Sequence, residues 1–269
     1  MEHYTLNVGD NMISYTDQGV GHCVVLIHGF CGDSQYWKYI VPQLVAKNRV
    51  ITVDIRGHGH SSTPKDEFEI MDLADDLDKL LTSLHIDRAT LIGHSLGGYI
   101  SIAFAEKYPE KLCGLSMVHS TTLPDTDEAK KNRDNGILLI EEEGIKPYIQ
   151  QLIPKLFAAG SHETLANEID LVKKIGYRTS DLGAIECLKS MKNRPNRNHV
   201  LKNLSLPVLL VAGELDDILP LERTFSVSGT NISQHTIKES GHMSMLEKPD
   251  ELSEVLIGFL DNIIDSKMI

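Results

Sequence analysis

"LIGHSLGGY", Leu91 to Tyr99, places a serine between glycines where one apolar run stops and another begins. The preceding "ATLI" is β-prone, and Leu96 to Lys107 reads as a helix ending near "YPEK", because proline disfavours continuation. Gly93, Ser95 and Gly97 thus form a G-x-S-x-G pattern with a strand before it and a helix after it. A turn that sharp strains the middle residue and would bring side chains two positions either side into collision, so glycine is needed at both. The strain projects the Ser95 hydroxyl away from the sheet. The Leu96 amide then opens a helix, where free N–H groups and the helix dipole favour negative charge. A serine that merely caps the helix is the competing role, and it would not need the flanking glycines.

The rest of the chain alternates in the same way. "CVVLIHG" from Cys23, "RVITVD" from Arg49, "KLCGLSMVH" from Lys111 and "LPVLLVAG" from Leu206 are unbroken aliphatic runs. Such runs suit strands covered on both faces, as in a parallel sheet. "YTLNV" and "MISYT", separated by "GDN", read as a hairpin. In Glu69 to Leu84 the apolar residues fall at Ile70, Leu73, Ala74, Leu77, Leu80, Leu81 and Leu84, the spacing of a helix with one buried face. Asp72, Asp75, Asp76 and Asp78 fall mostly on its other side, which reads as a solvated face rather than a metal site. Strand alternating with helix gives an α/β fold with a parallel sheet.

After His119 the alternation breaks. Residues 121–203 hold no strand-like run but several helical stretches, among them "GIKPYIQQLIPKLF", "HETLANEIDLVKKI" and "DLGAIECLKSM". We therefore divide the chain into a core of residues 1–120 and 204–269 and a helical lid of residues 121–203. Inserted at the carboxyl edge of the sheet, the lid would lie over the place where ligands bind in such folds. A closing helix runs through "DELSEVLIGFLDNII".

Composition bounds the function. With 269 residues, 41% apolar and 24% charged, the chain can bury one large core. A net charge of −12 argues against nucleic acid and anionic membrane as partners. No run approaches the roughly 20 apolar residues that span a bilayer, and the N-terminal "MEHYTLNVGD" lacks the pattern of a secretory signal. Cys23, Cys31, Cys113 and Cys187 are scattered, as expected of reduced thiols, so the cytoplasm is the expected location. The sequence leaves homo-oligomerisation open.

A serine hydroxyl needs a base, and the base an orienting acid. "ESGHMSMLEKPDEL" supplies His242 after the short strand "SQHTIKE", and "LPVLLVAGELDDILP" ends a buried strand with Asp216 and Asp217 in its loop. Ser95, Asp216 and His242 therefore occur in the order nucleophile, acid, base, each at the carboxyl end of a strand.

"LIHGF", "DIRGHGHSS", "GHSLGG" and "GELDDILP…GHMSMLEKP" together resemble the α/β-hydrolase superfamily, in the branch of small cofactor-free esterases, lactonases and C–C hydrolases. The resemblance covers nearly all of the chain outside the insertion. It implies a mostly parallel eight-stranded sheet flanked by helices with a lid, and hydrolysis through an acyl-enzyme without cofactor. It points to Asp216 as the acid, through the spacing of Gly213, Asp216 and Pro220, with Asp217 left as a turn or cap carboxylate. It makes the Phe30 amide the second oxyanion donor beside Leu96, with His28 and Gly29 shaping that loop. His28, Gly29, His119 and Met243 are expected near the substrate, and Trp37 is either pocket or core. His58-Gly-His60 is an H-x-H pair, but no further ligand follows, so no metal is expected. Cys31 reads as packing rather than a second nucleophile.

The expected function is cleavage of a small or medium carboxylic ester, thioester or lactone, with a small acyl compound as the only partner. The same triad could serve C–C hydrolysis or peracid formation. A ligand-sensing receptor on this scaffold is the non-enzymatic alternative, and the complete triad argues against it. Dehalogenases of this fold need aspartate where Ser95 stands.

Overall fold

In the computed structural model, which describes residues 2–265, the aliphatic runs become the middle of one eight-stranded sheet. Its strands are β1 (Tyr4–Val8), β2 (Asn11–Gln18), β3 (His22–Ile27), β4 (Asn48–Asp54), β5 (Ala89–His94), β6 (Leu112–Val118), β7 (Val208–Gly213) and β8 (Ile232–Ile237). They lie in the order β1-β2-β4-β3-β5-β6-β7-β8. The hairpin β1–β2 adds antiparallel to β4, and every pairing from β4 to β8 is parallel. Every residue of β5, β6 and β7 is buried, whereas β1 and β8, at the two edges, are partly exposed. Helices on both faces are what let the central strands dispense with polar alternation.

The long helices outside the 121–203 stretch are α1 (Ile70–Ser83), α2 (Leu96–Lys107) and, closing the chain, a helix over Pro249–Asp265. Helix α1 buries the apolar face its spacing demands. Its carboxylates are a correction to the sequence reading, since they do specific work instead of forming a plain solvated face. Asp72 accepts from the Glu69 amide at 2.7 Å, closing a capping box. Asp75 pairs with Lys107 and Tyr108, buried Asp76 with Arg56, and Asp78 with Lys111. The last three tie α1 to its neighbours. Helix α2 is buried on almost every side, from Leu96 to Ala105, which is why its sequence shows no polar face.

Between β6 and β7 the chain forms α3 (Asp127–Glu143), α4 (Ile145–Leu156), α5 (Ala166–Gly176) and α6 (Asp181–Asn193), then a short turn of helix over Asn198–Asn203. Thr126 and Ser180 cap α3 and α6 by accepting from the Ala129 and Gly183 amides. This helical segment docks on the "RGHGHSS" loop after β4. The Ser180 amide donates to the Gly57 carbonyl at 2.9 Å, and Arg178 pairs with buried Asp33. Gly57 has φ +74°, and a Cβ there would stand 2.5 Å from the Gly183 backbone, so both features demand glycine. The loop's other glycine, Gly59, has φ +53° and would place a Cβ 2.3 Å from Asp54 Oδ2.

Gly258 is exposed inside the closing helix, and a Cβ there would meet nothing within 4 Å. Gly258→Ala should therefore stabilise the fold by about 0.5–1 kcal/mol. A higher urea midpoint with unchanged slope is the expected result, and a lower midpoint contradicts this account of the helix.

Candidate active site

Ser95 sits at the turn from β5 into α2 with φ +50° and ψ −111°, a backbone conformation that side chains rarely adopt. The flanking glycines have the cause the sequence implied. A Cβ on Gly93 would lie 2.2 Å from the Gly97 carbonyl oxygen, and one on Gly97 would lie 2.3 Å from that of Ile27. The turn is held from both sides, because the Ser95 amide donates to the Val118 carbonyl at 2.9 Å and Ser120 Oγ donates to the Ser95 carbonyl at 2.7 Å.

At the end of β7, Asp216 is buried and receives four hydrogen bonds. Its Oδ1 accepts from the amides of Ile218 at 2.9 Å and Leu219 at 3.0 Å. Its Oδ2 takes His242 Nδ1 at 2.7 Å and His119 Nδ1 at 3.1 Å. Burial alone would raise the carboxyl pKa. The two imidazoles outweigh it and hold the group far below the usual carboxylate range. An ionised carboxylate only accepts, so both Nδ1 atoms must carry hydrogen. In a neutral His119 ring Nε2 is then bare and accepts from Ser244 Oγ at 2.7 Å, while His242 Nε2 has no hydrogen-bond partner among the described residues. Burial lowers the His119 pKa, in keeping with the neutral ring this network needs. Asp217, by contrast, is exposed.

The His242 backbone is clamped as well. Its amide donates to the Leu156 carbonyl at 2.7 Å, and its own carbonyl accepts from His94 Nε2 at 2.9 Å. Glu247 locks the same loop through the amides of Met243 and Ala158. A Cβ on Gly213 would strike the Gly241 carbonyl oxygen at 2.2 Å, so glycine there lets the β7 end approach the histidine loop. A Cβ on Gly241 would stand 2.5 Å from the Ala158 amide nitrogen, so glycine there lets the end of α4 approach the same loop.

Ser95, His242 and Phe30 line one cavity of about 760 Å³, walled by the helical segment and by the loop after β7. Among the described residues no hydrogen bond joins Ser95 to His242; such contacts commonly tighten only around bound substrate. The amides of Phe30 and Leu96 donate to nothing among the described residues. The other residues expected at the substrate lie elsewhere. His28 is buried behind the loop that carries Phe30, donating through Nδ1 to the Gly29 carbonyl and accepting at Nε2 from the Ile55 amide. Gly29 leaves room for the His94 ring, 2.5 Å from where its Cβ would be. His119 stands behind the acid, and Met243 is fully buried. None of these four is part of the cavity wall. A motif neighbour need not face the ligand. Trp37 is core.

The H-x-H pair does not act as a unit. His58 is buried and donates to the Arg56 carbonyl, while His60 turns towards Asp54 and His3. His3, Asp54 and His60 bring ligand atoms within 4.8 Å of one another, as do His119, Asp216 and His242. In the second group the facing atoms are already spent on hydrogen bonds to each other. Burial pushes the Cys31 thiol well above its ordinary pKa, which suits packing and not nucleophilic attack. The sequence reading missed two supports: His94, inside the elbow itself, and the role of His119, whose place at the end of β6 was the available signal.

Because the Asp216 pKa is depressed by folding, its carboxylate stabilises the protein above the ordinary carboxylate pKa and loses that effect as pH falls below it. The stability gap between wild type and Asp216→Asn should therefore narrow as urea unfolding is repeated from pH 6 down to about pH 3. A gap that widens on acidification would refute the ionised, doubly bonded carboxylate.

Comparison with known proteins agrees with this geometry. The profile of the alpha/beta hydrolase fold matches residues 23–143. An esterase from Thermogutta terrifontis, solved with malate bound, superposes with a TM-score of 0.92 at 27% identity, covering 98% of this chain and 99% of that one. The 3-oxoadipate enol-lactonase 2 of Acinetobacter baylyi is 26% identical over 263 residues, 94% of each chain. A putative non-heme chloroperoxidase of Synechocystis is 28% identical over 266 residues, covering 92% of this chain and 94% of that one. Sheet order, serine turn and these likenesses converge, and the chain has the α/β-hydrolase fold.

Proposed function

We propose that the protein is a serine hydrolase that cleaves carboxylic esters, thioesters or lactones through an acyl-enzyme. The observation that carries the reading is the 2.7 Å bond between His242 Nδ1 and Asp216 Oδ2, set in the same cavity as the strained Ser95. In this reading His242 Nε2 takes the Ser95 proton as Oγ attacks the carbonyl carbon. The Phe30 and Leu96 amides hold the oxygen that becomes negative. His242 then returns the proton to the leaving alcohol or thiol. Water, deprotonated by the same nitrogen, attacks the acyl-Ser95 ester, and the acid leaves as His242 returns that proton to Ser95 Oγ. Asp216 keeps the ring in the tautomer that exposes Nε2 and stabilises the imidazolium. His119 and the Ile218 and Leu219 amides hold Asp216 for that task. The names of the similar esterase and enol-lactonase support carboxylic esters and lactones as the substrate class.

A fluorophosphonate probe should label the wild type and fail on Ser95→Ala, and an ester panel from acetate to long acyl chains should show turnover that vanishes with the same change. Asp216→Asn should lower kcat by about 10⁴-fold, the scale expected when the histidine tautomer is lost. Asp217→Asn should stay within a few-fold of wild type. Absence of labelling would restore the receptor alternative, and the reverse aspartate pattern would move the acid to Asp217.

A further inference from the structure

Inside the cavity two guanidiniums share one carboxylate. Asp125 Oδ2 accepts from Arg133 Nε at 3.0 Å, and its Oδ1 accepts from Arg194 Nη1 at 2.6 Å. The Arg194 side chain is only 4% exposed and that of Asp125 only 5%. Arg194 lies over the Tyr99 ring, 4.0 Å from its centroid, and its Nη1 also donates to the Met191 carbonyl at 2.7 Å. Its plane is therefore fixed. Yet its Nε is buried without a partner. Its Nη2 and both terminal nitrogens of Arg133 donate to nothing among the described residues. All three residues line the cavity that holds Ser95 and His242.

The charges do not balance. Arginine keeps its proton at any working pH, so this buried group holds two cations against one anion. Lys155 and Arg223, the other cations of the cavity, are matched in number by exposed Glu128 and Asp217. One positive charge is left over, in a chain whose net charge is −12. A partly desolvated cation with unspent donors is costly unless something pairs it. A strut between α3 and α6 would need only one arginine for one aspartate.

We propose that Arg133 and Arg194 together take a carboxylate of the substrate, so that the favoured esters or lactones carry a free carboxylate away from the bond being cleaved. The inference rests on the reading of Ser95 as nucleophile for its catalytic part, but not for its binding part. A planar carboxylate matches guanidinium forks in geometry as well as in charge. Leu139, Tyr148, Leu152 and Met191 supply apolar wall for the carbon chain.

The test compares 4-nitrophenyl butyrate with the 4-nitrophenyl monoester of succinate. The wild type should favour the succinate monoester in kcat/KM by about 10-fold or more. Arg133→Gln and Arg194→Gln should each reduce that preference by about 10- to 100-fold, mainly through KM. Arg133 is half-buried, so its variant keeps the test open if Arg194→Gln does not fold. In parallel, glutarate is titrated calorimetrically into Ser95→Ala and into Ser95→Ala/Arg133→Gln, with binding expected only in the first. Turnover that depends on Ser95 but does not favour the succinate monoester, or a preference indifferent to Arg133→Gln, overturns this inference and leaves the hydrolase reading standing. Glutarate binding that needs Arg133, without turnover of either ester, sinks the hydrolase reading and sustains this one. No glutarate binding by Ser95→Ala overturns the proposal outright.

Discussion

A carboxylate has no hydrogen to give, and the arrangement around Asp216 follows from that. Four donors converge on its two oxygens: two imidazole Nδ1–H groups on one side, two backbone amides on the other. A neutral imidazole that spends Nδ1–H there leaves Nε2 bare. For His119 that nitrogen accepts from Ser244, and for His242 it has no hydrogen-bond partner among the described residues. Were Asp216 protonated, one of these four bonds would reverse or break, and the His242 tautomer would no longer be fixed. The depressed pKa of Asp216 and the availability of His242 Nε2 are thus two faces of one hydrogen-bond pattern.

That pattern needs backbones packed closer than side chains permit. Gly93 and Gly97 let the serine turn close, Gly213 lets the β7 end touch the histidine loop, and Gly241 lets residues 156–158 touch it. The strain recorded in the positive φ of Ser95, and likewise of His119, is held in place by neighbouring strands. Each of those residues donates its amide across to the next strand, Ser95 to Val118 and His119 to Val211. The β5–β6–β7 unit therefore positions both the candidate nucleophile and the group behind the acid.

Strands β3 to β7 were legible in the sequence because burial on both faces removes polar alternation, which is a local signal. The serine turn was legible because its glycines bracket Ser95 between a strand and a helix, although only Gly93 is forced by a contact inside the turn and Gly97 is forced by Ile27 of β3. Helix α3 escaped notice for the opposite reason: "DEAKKNRDNGILLIEEE" buries only Gly136 and Ile140, so no apolar stripe marks it. The pairing of Asp125 with Arg194 joins positions 69 residues apart and leaves no periodic trace. His28, Gly29, His119 and Met243 sit beside the right motifs but face away from the cavity. Motif adjacency locates a residue along the chain and says nothing of the side its atoms take.

The helical segment contributes to the site beyond covering it. The Leu156 carbonyl holds the His242 amide, and the Ala158 amide holds Glu247, which in turn holds Met243. The end of α4 is thus part of the scaffold that sets the histidine loop. A rigid swing of the whole segment would break these bonds and release His242 from its place over the cavity. Motion that admits a ligand while keeping His242 ready must therefore leave residues 156–158 fixed and fall on other walls. Helix α3 is largely polar and buries only Gly136 and Ile140, and it carries Arg133 on the cavity wall.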